Sequence, residues 1–181
     1  MNFSKFLAIS LIFLTFLLPR KALAKSIVET SGDVLNIALP LTALGITFKK
    51  KDTVGRYQLT KSLIATVLTT YSLKFLVKEK RPNGKPHSFP SGHTSISFCS
   101  ATFVHKRYSF ALAIPFYLGA TFVGYSRIVS KEHHFKDVLV GGLIGFSFSY
   151  LFTTKHLSQK TSFISLEFSK NLIIVKECLL F

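Results

Sequence analysis

The chain has 181 residues, 48% of them hydrophobic, with 19 Phe, no Trp and a formal net charge of +15. Long apolar runs exclude a soluble core of ordinary composition and put the chain in a bilayer. The cations are split among short loops with no basic stripe, which argues against nucleic acid as a partner, and Cys99 and Cys178 lack the paired spacing of a disulfide or a zinc site.

The N-terminal stretch has a basic start at Lys5, an apolar run over residues 6–18 and a small-x-small site at Ala22, Leu23 and Ala24. Residues 1–24 therefore fit a secretory signal cut after Ala24. Arg20 and Lys21 are unusual just before such a cut, so retention as an additional anchoring helix is the alternative. Either outcome leaves Lys25 outside the cytoplasm.

Further apolar segments cover residues 34–48, 57–77, 94–104, 109–125 and 138–153. Several are shorter than the ~20 residues of a lone span, and flanking polar residues packed on neighbouring helices must complete them. The reading is an all-α polytopic transmembrane bundle of five or six helices in one domain, residues 25–156, followed by a tail over 157–181. The first loop, with Lys49, Lys50, Lys51 and Arg56, falls inside by the positive-inside rule, as does the third, with His105, Lys106 and Arg107 read as a membrane-surface anchor. In the tail, Ile164, Leu166 and Phe168 alternate with Ser165, Glu167 and Ser169 ahead of the run 172–175, which suggests a β-hairpin on the cytoplasmic side.

Three clusters between these segments carry chemistry, and the predicted topology puts all three on the outer face. In Lys74-x6-Arg81-Pro82, a lysine ends an apolar segment and an arginine precedes a helix-breaking proline, each placed to bind an oxyanion. Pro90-Ser91-Gly92-His93 reads as a turn feeding a helix from Thr94, whose first N–H groups and Ser91 hydroxyl suit a phosphate. In Ser126-Arg127-x5-His133-x3-Asp137, the spacing of four puts His133 and Asp137 on one helix face, where the carboxylate can orient a neutral, nucleophilic imidazole. His134, one place out, would point about 100° away and is given no role. His87 is read as a solvated loop residue. The excess of cations over residues 78–85, against the positive-inside rule, is ascribed to the phosphate site.

Three cations, an imidazole nucleophile and a second histidine suit removal of a phosphate from an ester through a phosphohistidine. An alkoxide leaves with a proton, which His93 can supply near neutral pH. Glu79, Glu132 and Asp137 are the only acids between Asp52 and Glu167, too few to hold magnesium once Asp137 is assigned, so turnover is expected to need neither metal nor other cofactor.

In order and spacing all three clusters resemble the type 2 phosphatidic acid phosphatase and vanadium haloperoxidase superfamily, over the third of the chain from Lys74 to Asp137. The resemblance implies that His133 attacks phosphorus in line, that Asp137 holds its tautomer, and that His93 protonates the leaving alkoxide and then activates water. Lys74, Arg81, Ser91, Gly92 and Arg127 would hold the phosphoryl oxygens. Apolar spans favour the membrane lipid phosphatase branch over the typically soluble haloperoxidases, while a phosphotransferase using the same intermediate stays open. The implied substrate is a membrane lipid phosphate, namely undecaprenyl diphosphate, phosphatidylglycerol phosphate, phosphatidic acid or a lipid A phosphate. The short loop 83–89 leaves room for a bulky headgroup and leans towards lipid A or undecaprenyl diphosphate. The expected location is the bacterial inner (cytoplasmic) membrane, with the site facing the periplasm or exterior.

Overall fold

The computed structural model describes residues 20–156, 162–169 and 172–179, with side-chain surroundings given for 27–156. Residues 1–19, which hold most of the expected leader, lie outside the described residues. Five helices follow in order: α1 (Arg20–Lys49), α2 (Thr53–Leu76), α3 (Gly92–Arg107), α4 (Phe110–Val129) and α5 (Phe135–Phe152). The tail forms an antiparallel hairpin of β1 (Ser162–Ser169) and β2 (Leu172–Leu179), paired from Ser169 with Leu172 to Ser162 with Leu179.

Helix boundaries follow local chemistry. Asp52 caps α2 by accepting from the Gly55 N–H at 2.8 Å, and Ser109 caps α4 by accepting from the Leu112 N–H at 3.2 Å. Helix α1 starts well ahead of the expected residue 34 and runs through Ala24, Glu29 and Asp33. Helix α3 starts at Gly92, two residues before the expected Thr94, because glycine is tolerated at the first helical position once Ser91 serves as the cap.

The interior mixes an apolar core around Leu39, Leu59, Phe103, Val104 and Phe116 with many small hydroxyl side chains, while large apolar side chains cover the outside. Ser62, Thr66, Thr70, Ser95, Ser97, Ser100 and Thr102 are fully buried, whereas Leu41, Leu68, Phe75, Leu118 and Leu151 are all more than half exposed. Water would penalise this exposure, but lipid chains solvate the outer side chains at no cost, and the molecule is a membrane helix bundle. Among the described residues, three segments are long and apolar enough to cross a bilayer alone: Ile27–Lys49, Phe110–Val129 and Phe135–Phe152. Helix α3 falls short for a physical reason. Its 16 residues extend about 24 Å, and it touches all four other helices, which shield its hydroxyls from lipid.

Close approach of α5 to α3 depends on Gly141 and Gly145, where a Cβ would overlap the carbonyl oxygens of Ser91 and Ser95 respectively. In contrast, α4 and α5 barely touch each other. The gap between them is an apolar groove of about 420 Å³, with Phe98 of α3 also in its lining.

Loops at one end tie the clusters together: the Ser91 N–H donates to Asp137 O at 2.9 Å and the Asn83 N–H to Lys131 O at 3.2 Å. At the other end Arg107 and Asp52 form a buried ion pair, and the segment after α5 is pinned there by the His156 N–H donating to Arg107 O at 2.7 Å. Arg107 is thus an interior residue, not the expected surface anchor. What turns it inward is an aspartate lying 55 positions earlier in the chain, with no local signal linking the two. Nearby, His105 Nδ1 lies 3.2 Å from the Tyr117 hydroxyl, and its ring packs against Phe110 and Tyr117.

Candidate active site

Helix α2 presents Lys74 in its last turn, α3 presents Gly92 and His93 in its first, and α4 presents Arg127 in its last. These four, with Tyr71, Arg81, Glu132 and His133, line one polar cavity of about 160 Å³. Ser91 and Asp137, the remaining predicted site residues, are fully buried and outside that lining. The Ser91 hydroxyl pairs with the Thr94 hydroxyl at 2.9 Å. Its main-chain N–H holds the carbonyl of Asp137.

His133 is not on a helix with Asp137, as the spacing predicts. It lies in the bend between α4 and α5, held by its N–H donating to Arg127 O at 3.2 Å, and α5 begins two residues later at Phe135. His134 caps α5, and Asp137 in the first turn reaches back to accept the His134 N–H on Oδ2 at 2.9 Å. A residue just ahead of a capped helix meets the third residue inside it, which is why a spacing of four still brings the pair together. His133 Nδ1 stands 3.6 Å from Asp137 Oδ2, beyond hydrogen-bond length. That oxygen also accepts from the Ser88 hydroxyl at 2.5 Å, while Asp137 Oδ1 has no hydrogen-bond partner. Burial pushes the His133 imidazole down to about 4, with the Lys74 and Arg81 charges adding to it and Asp137 opposing. His133 is therefore neutral near pH 7.

The cations are held in place rather than loose. Lys74 Nζ donates to His87 O at 2.9 Å and to Ser88 O at 3.3 Å. His87 is half-buried at φ +58° with Nδ1 2.9 Å from Lys74 O. It ties the loop to the end of α2 and is not the solvated residue expected. Arg81 pairs with Glu132, which also accepts from Asn83 Nδ2 at 2.8 Å and Lys85 Nζ at 3.2 Å. Burial alone would raise the Glu132 carboxyl, but hydrogen bonds from Lys85 and Arg81 outweigh it and hold the group below its usual range.

Sequence reasoning missed two carboxylates here. From spacing alone Glu132 is only one of few acids in its region, and Asp33 of α1 lies outside all three clusters. Asp33 Oδ1 lies 3.1 Å from His93 Nε2 and 2.8 Å from Arg127 Nη1. Its signal was an acid beside an apolar segment, a position that in membrane proteins marks function or pairing. Glu79, His134 and Asp137 also gather ligand atoms within 4.8 Å of one another. Lys136 Nζ lies 2.7 Å from Glu79, and Asp137 Oδ2 accepts from the Ser88 hydroxyl and the His134 N–H.

The apolar groove is lined by residues close in the chain to those of the polar cavity, with no residue common to the two linings. Its lining includes Ile128 next to Arg127 and Phe135 two residues past His133, and descends through Leu139 and Leu143 to Phe146. Phe135, Leu139 and Leu143 are more than half exposed, so the groove opens on the lipid-facing surface.

The PAP2 superfamily profile matches residues 83–160. The lipid A 4'-phosphatase of Helicobacter pylori strain J99 is 30% identical over 146 residues, 74% of this chain and 73% of that protein. A lipid A 1-phosphatase of another Helicobacter pylori strain is 28% identical over 67% of this chain and 65% of its own length. Among solved structures, the crystal structure of Aquifex aeolicus LpxE superposes with a TM-score of 0.63 at 23% identity, covering 71% of this chain and 84% of that one. With all three clusters on one cavity and a relative matched over most of both lengths, the chain belongs to the PAP2 superfamily.

Proposed function

We propose that this protein is a metal-independent lipid phosphatase that removes a phosphate from lipid A through a phosphohistidine on His133. The observation that carries the reading is the polar cavity lined by Lys74, Arg81, His93, Arg127 and His133, together with an apolar groove whose lining residues Ile128 and Phe135 neighbour Arg127 and His133 in the chain. A phosphorylated headgroup with an acyl tail has that division of chemistry. Lipid A is favoured among lipid phosphates by the matched relatives that carry its name.

Neutral His133 attacks phosphorus with its free Nε2 pair, and the bond to the lipid oxygen breaks. His93, protonated, gives that oxygen its proton. Lys74, Arg81, Arg127 and the first N–H groups of α3 hold the equatorial oxygens, where charge stabilisation contributes most. Neutral His93 then takes a proton from water, whose oxygen displaces His133 and releases inorganic phosphate. Ser91 acts indirectly, as the cap that orients α3. The enzyme sits in the bacterial inner membrane with this end towards the periplasm, the face on which lipid A headgroups would meet it.

The test is phosphate release in detergent from lipid A, undecaprenyl diphosphate, phosphatidylglycerol phosphate and phosphatidic acid, with excess chelator and with lipid or sugar acceptors present or absent. Release with chelator from lipid A above the others is expected, together with loss in His133→Ala and His93→Ala. Activity abolished by chelator rules out the metal-free mechanism, and transfer to an acceptor in place of release would make the enzyme a phosphotransferase. A periplasmic reporter fused in the loop 83–89 checks the orientation.

A further inference from the structure

We infer that Asp33 of α1 is a positioning residue for the proton transfer at His93, making a second carboxylate–histidine pair beside the one formed by Asp137 and His133. The inference rests on the proposed phosphatase reading of the site and adds a residue outside the three clusters.

Geometry carries it. One oxygen of Asp33, Oδ1, meets both His93 Nε2 at 3.1 Å and Arg127 Nη1 at 2.8 Å, within the two lone pairs a carboxylate oxygen offers. Arg127 is clamped on α1 a second time, donating from Nη2 to Glu29 O at 2.7 Å. The docking is built for close approach: a Cβ on Gly32 would overlap the Ser126 hydroxyl and come within 2.8 Å of Arg127 Nη2. Asp33 is not among the residues lining the polar cavity, so it holds His93 and Arg127 while leaving the space between them open.

The charges around His93 give Asp33 its task. Lys74 from α2, Arg81 from the following loop and Arg127 from α4 line the same cavity, with Glu132 and His133 from the bend before α5. Glu132 is committed to Arg81, Lys85 and Asn83. Three cations that grip phosphate also disfavour an imidazolium among them, yet a leaving alkoxide needs one. A carboxylate in contact with Nε2 offsets that field. It also fixes the ring, with Nε2–H towards Asp33 and Nδ1 left to give its proton to the leaving oxygen and later to take one from water. The arrangement mirrors His133, whose Nδ1 faces its carboxylate and whose Nε2 is left for phosphorus.

The test compares kcat/KM for dodecyl phosphate and for a nitrophenyl phosphate bearing the same chain, in wild type, Asp33→Asn, Asp33→Glu and His93→Ala. A nitrophenolate departs without a proton and a dodecyl alkoxide does not. Asp33→Asn should lose about tenfold or more on the alkyl ester and under about threefold on the aryl ester, and the alkaline limb of its alkyl profile should move down by about one pH unit. Asp33→Glu, which keeps the charge, should retain the wild-type limb, and thermal unfolding in detergent checks that each variant is folded. Equal losses on both esters would make Asp33 a brace for Arg127 only, and a gain on either would make it a competitor of phosphate. Each overturns the inference. No loss in Asp33→Asn with an inactive His93→Ala overturns it alone, whereas a fully active His93→Ala overturns the phosphatase reading with it.

Discussion

Each end of the bundle holds a buried arginine against an aspartate, and the two pairs differ in how completely the carboxylate is enclosed. At the far end Arg107 grips Asp52 with two donors, Nε at 2.7 Å and Nη2 at 2.5 Å, while the Tyr108 hydroxyl and the Gly55 N–H supply further bonds. Both side chains are nearly inaccessible, at 7% and 3%. At the site end Arg127 is as buried at 4%, but its partner Asp33 is 48% exposed and lends only one oxygen. A pair closed on all sides fixes loops to one another. A pair open on one side leaves the guanidinium facing a cavity that can admit another anion.

The sharpest way to break the contrast is to remove chemistry from the open end alone. His133→Ala should lower phosphate release by about 10⁴-fold or more with little change in thermal unfolding, since the side chain lines the cavity and its ring Nδ1 makes no hydrogen bond. With His133 as the proposed nucleophile, the wild-type rate should also fall as pH drops through about 4, where its imidazole gains a proton. A pH profile of kcat/KM in detergent reads that limb.

At the closed end the order of effects reverses. Asp52→Asn strands Arg107 without its counter-charge, and a loss of about 3–5 kcal/mol in stability is expected, with the kcat of the surviving folded enzyme unchanged. Burial raises the Asp52 carboxyl, but the Arg107 hydrogen bond and those of Gly55 and Tyr108 hold it at about 2 against an ordinary 3.8. A depressed carboxylate contributes stability that is full above its unfolded value and is lost as pH falls towards the folded one. Wild type should therefore weaken between about pH 4 and pH 2 by an increment that Asp52→Asn lacks, measured by unfolding in detergent across that range.

Smaller effects probe the open end further. Arg127→Lys keeps the charge but loses the fork that spans Asp33 and Glu29, and should lower kcat/KM by about ten- to a hundredfold. Glu132→Gln frees Arg81 and Lys85 from their shared carboxylate. Inhibition by inorganic phosphate should tighten by about two- to threefold, the least of the changes and one read from a simple competition series.

What the sequence made legible was short-range. The three clusters are defined by spacing within one loop or one turn, and the alternation of apolar segments brings them to one end whichever way the bundle is inserted. His133 and Asp137 come within 3.6 Å of each other by a different route from the one expected, because a spacing of four fits both a helix face and a residue preceding a capped turn. Asp33 with Arg127, and Asp52 with Arg107, pair across 94 and 55 positions, and no periodicity links such partners. Helix α3 was hard for another reason. It is expected as a short apolar segment over 94–104, and only the surrounding helices turn its Ser and Thr residues into an interior.

If the acyl tail of the proposed substrate lies in the groove between α4 and α5, concentration takes on another meaning for this enzyme. Lifting an acyl chain out of a bilayer costs about 0.8 kcal/mol for each methylene, so a site loaded from the water would have to offset that for every carbon withdrawn. A slot open to the lipid leaves the tail among its own kind, and only the headgroup changes surroundings. Substrate then arrives by gliding within a two-dimensional sheet, and the turnover rate answers to molecules per area of leaflet rather than per volume of solution.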